Sequence, residues 1–216
     1  GYQHAVKGRS NQNAIFLDSC GRTYTLPAHG FPSARSLGEP LTGKLKVANN
    51  AEFVAVMMGK ADDLYLLATD AGYGYVAKLE DMITRNKAGK AMLSVPAGAK
   101  VLPPVRVRSY EDDWVVGVTQ QGYCGIVKLD ELPLLPRGKG VKMLNIPTAK
   151  FKTREEILSH VGLLQDGEGF TVYCGKKHKT MKSTEQEEYT VERGKRGFKL
   201  PRGYQNVDEM KVEIKD

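Results

Sequence analysis

"DDLYLLATDAGYGYVAKL" at residues 62–79 lies over "DDWVVGVTQQGYCGIVKL" at residues 112–129, with a turn glycine, a tyrosine and the closing Lys-Leu in register. "QNAIFLDSCGRTYTL" at residues 12–26 fits the same template, and a looser fourth copy begins near Phe170. The leading positions Asn13, Leu64, Trp114 and Phe170 are 51, 50 and 56 residues apart. A period of this size marks an array of similar supersecondary units, each needing its neighbours to bury its apolar face.

Every copy has the same internal order. A β-rich run ends at a turn glycine (Gly21, Gly72, Gly122 and, less cleanly, Gly175), and a second β-rich run follows. A loop then leads to another glycine among basic residues: "ARSLGEPL" at Gly38, "RNKAGKAML" at Gly89, "PRGKGVKML" at Gly140 and "ERGKRGFKL" at Gly197. Short apolar runs come next ("KLKV", "AMLSV", "KMLNI", "FKL"), and usually a second one such as "EFVAVMMG", "VLPPVRVRSY" or "HVGLLQ". Val, Tyr and Leu alternate in these pieces and Gly, Asp, Asn and Pro punctuate them, which predicts four short strands per unit. Helical periodicity is scarce; "TREEILSHVGLL" at 153–164 is expected to hold a helical turn or two. At the tail, "NVDEMKVEIK" predicts one more strand. The fold class is all-β, an array of the propeller type.

Composition narrows the function classes. Thirty-two Lys and Arg against 25 Asp and Glu give a net charge of +7, which favours a polyanionic partner. No apolar run reaches the ~20 residues of a membrane-spanning helix, so no membrane partner is expected. No signal peptide opens the chain. Gly1-Tyr2-Gln3 is not a natural start, so a piece of a longer protein is expected. Cys20, Cys124 and Cys174 are odd in number and widely spaced, which predicts reduced, incidental thiols rather than a disulfide framework or a zinc site. His4, His29, His160 and His178 lack ligand spacing, and the chain contains no phosphate-loop, nucleophile-elbow or dinucleotide motif in a strand-to-helix setting. Nothing here predicts catalysis.

The residues also carry a resemblance. "AVKGRSNQ", "FLDSCGRTYTLP", "PSARSLGEPLTGKL", "ATDAGYGYV" and "TRNKAGKAML" resemble the C-terminal domain of the A subunit of bacterial DNA topoisomerase IV, in the same order and at the same spacing. The wider family includes the gyrase A C-terminal domain, a β-pinwheel whose blades exchange strands with their neighbours. The resemblance implies a propeller-like β-pinwheel of four-stranded blades, about four in this chain, forming one domain over residues 1–216. Whether the ring closes or stays open is not decided by the sequence. Gyrase-type domains carry a glycine-rich basic box of the form QRRGGKG; "PRGKG" and "ERGKRG" are degenerate relatives of it, which points to the topoisomerase IV branch.

That branch implies a monomeric module that binds and bends duplex DNA and tunes substrate preference between supercoil relaxation and decatenation. Its partners would be double-stranded DNA, the remainder of the A subunit, and the B subunit. The DNA-cleaving tyrosine and the ATP and Mg2+ chemistry would lie in other domains, with no cofactor in this one, and the location would be cytoplasmic at the nucleoid. A propeller-like protein-interaction platform is the alternative; a glycan-processing propeller is disfavoured because no carboxylates recur.

Bending any duplex requires repeated phosphate contacts rather than base readout. One basic loop per unit would string such contacts around a curved rim and offset a bending cost of order 1–6 kcal/mol. The candidates are Arg35 in the first loop, Arg85, Lys87 and Lys90 in the second, Arg137, Lys139 and Lys142 in the third, and Arg193, Lys195, Arg196 and Lys199 in the fourth. A second cluster is Lys176, Lys177 and Lys179, with Lys182 at its end. The loop glycines read first as turn requirements, and a single exposed cation reads equally well as a solvated surface. Trp114, Tyr73, Tyr75 and Tyr123 are expected to pack in the core or at blade edges rather than stack on bases. The acidic stretches "SYEDDW" (109–114) and "TEQEEY" (184–189) are expected to be solvated or turned from DNA, with contact to another part of the enzyme left open for the second.

Overall fold

The computed structural model describes residues 13–27, 46–48 and 50–215. Strand β1 (Asn13–Asp18) and β2 (Arg22–Pro27) form the first hairpin, and β3 (Phe53–Met57) returns to pair with β1. The second hairpin joins β4 (Leu64–Ala68) to β5 (Tyr73–Lys78). The strand after it, β6 (Lys90–Ala91), leaves its own unit and pairs with β2, Thr23 opposite Lys90. Then β7 (Val105–Arg106) comes back to β4.

The third unit repeats this route. After the hairpin of β8 (Trp114–Thr119) and β9 (Tyr123–Lys128), β10 (Val141–Lys142) crosses to β5 and β11 (Leu158–Leu164) returns to β8. In the fourth, β12 (Gly169–Cys174) pairs with β13 (Lys177–Met181), β14 (Phe198–Lys199) crosses to β9, and β15 (Glu209–Glu213) returns to β12. The resulting antiparallel sheets run β3-β1-β2-β6, β10-β5-β4-β7, β11-β8-β9-β14 and β13-β12-β15. Three blades are therefore completed by a strand from the following unit; the fourth has three strands among the described residues.

Alternation along the strands explains the stacking. Ile15 and Leu17 pack with Tyr65, Leu67, Tyr75 and Ala77 between the first two sheets. The intervening residues Leu66, Ala68 and Val76 point the other way, onto Val115 and Val127 of the third sheet. Val116, Val118, Cys124 and Ile126 then meet Phe170, Val172 and Met181 of the fourth. Both faces of a central blade are buried, so each such side chain contributes on the order of 1.5–3 kcal/mol by leaving water. The far face of the fourth sheet is different. Thr171 hydrogen-bonds Thr180 and Glu213, and Lys211 lies over Tyr173. A polar face of this kind suits the end of a stack.

The strands begin at Asn13, Leu64 and Trp114 as the repeat predicts, and the fourth begins at Gly169, one residue early. Two expectations need correction. The helix is not at 153–164; short helices occupy Leu79–Met82 (α1) and Thr148–Lys152 (α2), while residues 158–164 are a strand. Arg154, at φ 62°, ends the helical stretch, and burial of Leu158, Leu163 and Leu164 against β8 selects the extended form over local propensity. The stretch "SYEDDW" is not wholly solvated either. Asp113 is fully buried, accepting the Arg108 N–H and the Gln165 side-chain amide. Strand β7 is just two residues long, since Pro103 and Pro104 have no N–H to give a ladder.

Candidate nucleic-acid interface

The third and fourth basic loops are reversals. The chain of the third unit touches β5 in parallel at Val76 and Leu134, turns through residues 135–140, and pairs back antiparallel with Val141 opposite Gly74. The fourth unit does the same on β9, from the Ile126–Thr190 bridge to Phe198 opposite Cys124. Such a reversal needs left-handed residues, and Gly140 (φ 86°) and Gly197 (φ 90°) supply them. They also sit against backbone: a Cβ on Gly140 would overlap the Gly74 carbonyl, and one on Gly197 would lie 2.5 Å from the Cys124 oxygen. These glycines therefore dock one blade onto the next.

The loops are chained to one another by a repeated bond. Lys46 N–H donates to Lys87 O, Ser94 N–H to Gly138 O, and Asn145 N–H to Lys195 O, each at 2.9 Å. Gly138 N–H returns a bond to Met92 O, Gly194 N–H one to Met143 O, and Arg193 Nη1 donates to Lys142 O at 2.9 Å. The second, third and fourth basic loops thus form one continuous edge along three blades.

The candidate residues divide by what their side chains do. Arg85, Lys87, Arg137 and Lys195 are exposed and have no side-chain partner among the described residues. Lys90 donates to Asp81 O, Lys142 to Asn145 Oδ1 at 3.3 Å and Lys199 to Gln121 O at 3.1 Å. Lys139 sits over the Tyr73 ring, 4.4 Å from its centroid. Arg196 is largely committed inward: its Nη2 binds fully buried Glu156 and its Cζ lies 3.9 Å from the Tyr123 centroid. In the second cluster, Lys176 is exposed on the β12–β13 turn, Lys177 lies over Tyr204, and half-buried Lys179 stands opposite Val172 in the register. Lys182 follows β13 and is exposed. Arg35 and Gly38 lie outside the described residues. Tyr75 is fully buried and donates to Met92 O, and burial pushes its phenol well up. The half-buried Tyr73 and Tyr123 are different, because they carry cations; the sequence signal was the tyrosine directly after the turn glycines Gly72 and Gly122.

Ion pairs also tie the units together. Arg154 binds Asp70 at 2.6 Å, and Arg108 grips Glu168 through both terminal nitrogens. Among the described residues no group of three or more His, Cys, Asp or Glu is placed to hold a metal, and no helix is long and apolar enough to cross a membrane.

Comparison with known proteins fits this geometry. A family model described as the DNA gyrase C-terminal domain, beta-propeller, matches residues 63–107 and 113–159. The solved C-terminal domain of E. coli ParC superposes with a TM-score of 0.88 at 38% identity, over 96% of this chain and 84% of that one. The chain belongs to the family of gyrase A and topoisomerase IV A C-terminal domains. The A subunit of DNA topoisomerase 4 from Pseudomonas aeruginosa is 46% identical over 214 residues, 99% of this chain, and the chain spans 28% of that protein's length. A solved gyrase A C-terminal domain shares the fold, with a TM-score of 0.69 at 15% identity, over 97% of this chain and 68% of that one. Within this family, the strand exchange and the chained loops describe how one such C-terminal domain holds its blades in line.

Proposed function

We propose that residues 1–216 act as one unit that binds and bends duplex DNA for a type IIA topoisomerase, along the edge formed by the chained basic loops. The observation that carries this reading is the repeated loop-to-loop bond, which turns separate basic turns into one track. Exposed Arg85, Lys87, Arg137 and Lys195 recur along it, with Lys139 and Lys199 beside them. A contour of this kind suits phosphates, which recur along every sequence and release counterions when neutralised. No base-reading element is needed.

In the parent enzyme the domain would present DNA to the cleavage core formed by the remainder of the A subunit. The B subunit would be the ATP-hydrolysing partner, and the whole would work in the cytoplasm. ATP and Mg2+ would act through those parts, and no cofactor is assigned to this domain. The module would then tune the balance between supercoil relaxation and decatenation. Removing it from the parent protein is expected to leave DNA cleavage intact and to change the relative rates on supercoiled and linked substrates. Unchanged relative rates would refute the selector role. Titration of a ~40 bp duplex at several salt concentrations tests the binding itself: phosphate gripping requires log affinity to fall linearly with log salt, by about 0.9 per contact.

A further inference from the structure

We infer that Tyr73 and Tyr123 are positioning residues of the basic edge, holding lysines in place for phosphates; this rests on the DNA-binding reading above. The two tyrosines are equivalent, each following a turn glycine and each at the start of a strand that receives an exchanged strand. Lys139, immediately before Gly140, lies 4.4 Å from the Tyr73 centroid. At the next junction Lys199 lies 4.6 Å from the Tyr123 centroid, sharing that ring with Arg196.

The first junction is built the other way round. Arg22 follows Gly21 where the tyrosines follow Gly72 and Gly122, and Ala88 precedes Gly89 where Lys139 and Arg196 precede Gly140 and Gly197. Arg22 Nε and Nη2 donate to the carbonyls of Ala88 and Gly89 at 3.0 and 2.9 Å, so the cation there is spent on holding the loop. At the two tyrosine junctions the loop supplies the cation and the hairpin supplies the ring.

A ring face attracts an ammonium group without using any of its N–H donors. Lys139 is thus held at a fixed place with its donors still available to a phosphate. A lysine held in advance loses less rotamer freedom on binding than one that swings freely. Arg196 does not play this part, because Glu156 anchors it from below. Lys199 gives one bond to Gln121 O and keeps the rest. The tyrosine rings are half-buried and the Tyr73 and Tyr123 hydroxyls have no partner among the described residues, so core hydrogen bonding does not account for them.

The test is anisotropy of a labelled ~40 bp duplex at three or more salt concentrations, using the 216-residue chain and variants matched for melting temperature. Tyr73→Leu and Tyr123→Leu are each expected to weaken binding roughly 2- to 5-fold and to flatten the log–log salt slope by up to about 0.9. Phe at either position restores both readouts. Fluorinated phenylalanine, which keeps the shape but removes the attraction of the ring face, reproduces the Leu effect without the packing change. Tyr73→Leu placed on a Lys139→Ala background costs nothing further. Wild-type affinity and slope in the Leu and fluorinated variants, an equal loss with Phe, or additive losses with Lys139→Ala would each overturn the inference while leaving DNA binding in place. If the unsubstituted chain fails to bind duplex at low salt, the DNA-binding reading falls and this inference falls with it.

Discussion

Arg108 and Glu168, 60 residues apart, form a two-pronged ion pair in which Arg108 Nη1 meets Glu168 Oε2 at 2.8 Å and Nη2 meets Oε1. It ties the tail of the second unit to the start of the fourth. The Arg108 guanidinium holds the Glu168 carboxyl down to about 2, against the opposing push of burial, with help from the Gln165 and Lys215 N–H groups. A depressed carboxylate stabilises the fold above its unfolded pKa, about 4.3, and that stability is lost as pH falls through the folded value. Melting temperature should therefore drop between about pH 5 and 2, with this pair contributing about 1–2 kcal/mol of the change after allowing for water at half-open Arg108. Glu168→Gln should lose that amount at pH 7, and its deficit should vanish by about pH 2. A deficit independent of pH would show that the pair does not drive the acid response.

Gly140→Ala and Gly98→Ala separate conformational strain from close packing. Both glycines have positive φ, 86° and 79°, but a Cβ on Gly98 meets nothing within 4 Å whereas one on Gly140 overlaps the Gly74 carbonyl. Gly98→Ala should cost about 1 kcal/mol, and Gly140→Ala at least about 3 kcal/mol because the exchanged strand must also move. Urea unfolding measures both. Equal costs would mean that the close approach to β5 is readily relaxed.

Arg196→Ala should destabilise the chain by roughly 3 kcal/mol, since it leaves the carboxylate of fully buried Glu156 without its cation. Arg137→Ala, at an exposed side chain without a partner among the described residues, should change stability by less than about 0.5 kcal/mol. Chemical denaturation of the two variants checks the contrast, and similar values would place Arg196 with the solvated cations.

Thiol labelling at pH 8 should follow exposure. Cys20 is exposed and should react first, and half-buried Cys174, whose Sγ lies against Gln205 O, should follow. Burial pushes the Cys124 thiol far up, so it should stay unmodified until the third and fourth blades separate. Prompt labelling of Cys124 in the folded chain would contradict the packing of that junction.

Much was legible because it repeats locally. Hairpin strands, turn glycines and a basic loop around Gly89, Gly140 and Gly197 are short-range patterns set by period-2 burial and by backbone conformations that favour glycine, so they stand in the sequence without reference to distant residues. The all-β class, the period near 51 residues and the family resemblance follow from these. Residues 153–164 read two ways in the sequence, "HVGLLQ" as a strand piece and the whole stretch as holding a helical turn or two, because the choice between helix and strand depends on β8, some 45 residues away in the chain.

Tertiary structure decided who pairs with whom. Nothing within residues 137–142 reveals that Val141 sits opposite Gly74 of the preceding blade rather than beside its own hairpin. Sequence treats Arg137, Arg193 and Arg196 alike, yet one is solvated, one caps the Lys142 carbonyl and one is anchored to Glu156. A side chain's charge is fixed by its own residue, but the donors it has left for a ligand depend on neighbours that arrive only when the blades stack. For that reason the sequence by itself determined the repeating unit and its basic character, and the packing of unit on unit determined which cations remain exposed to meet a phosphate.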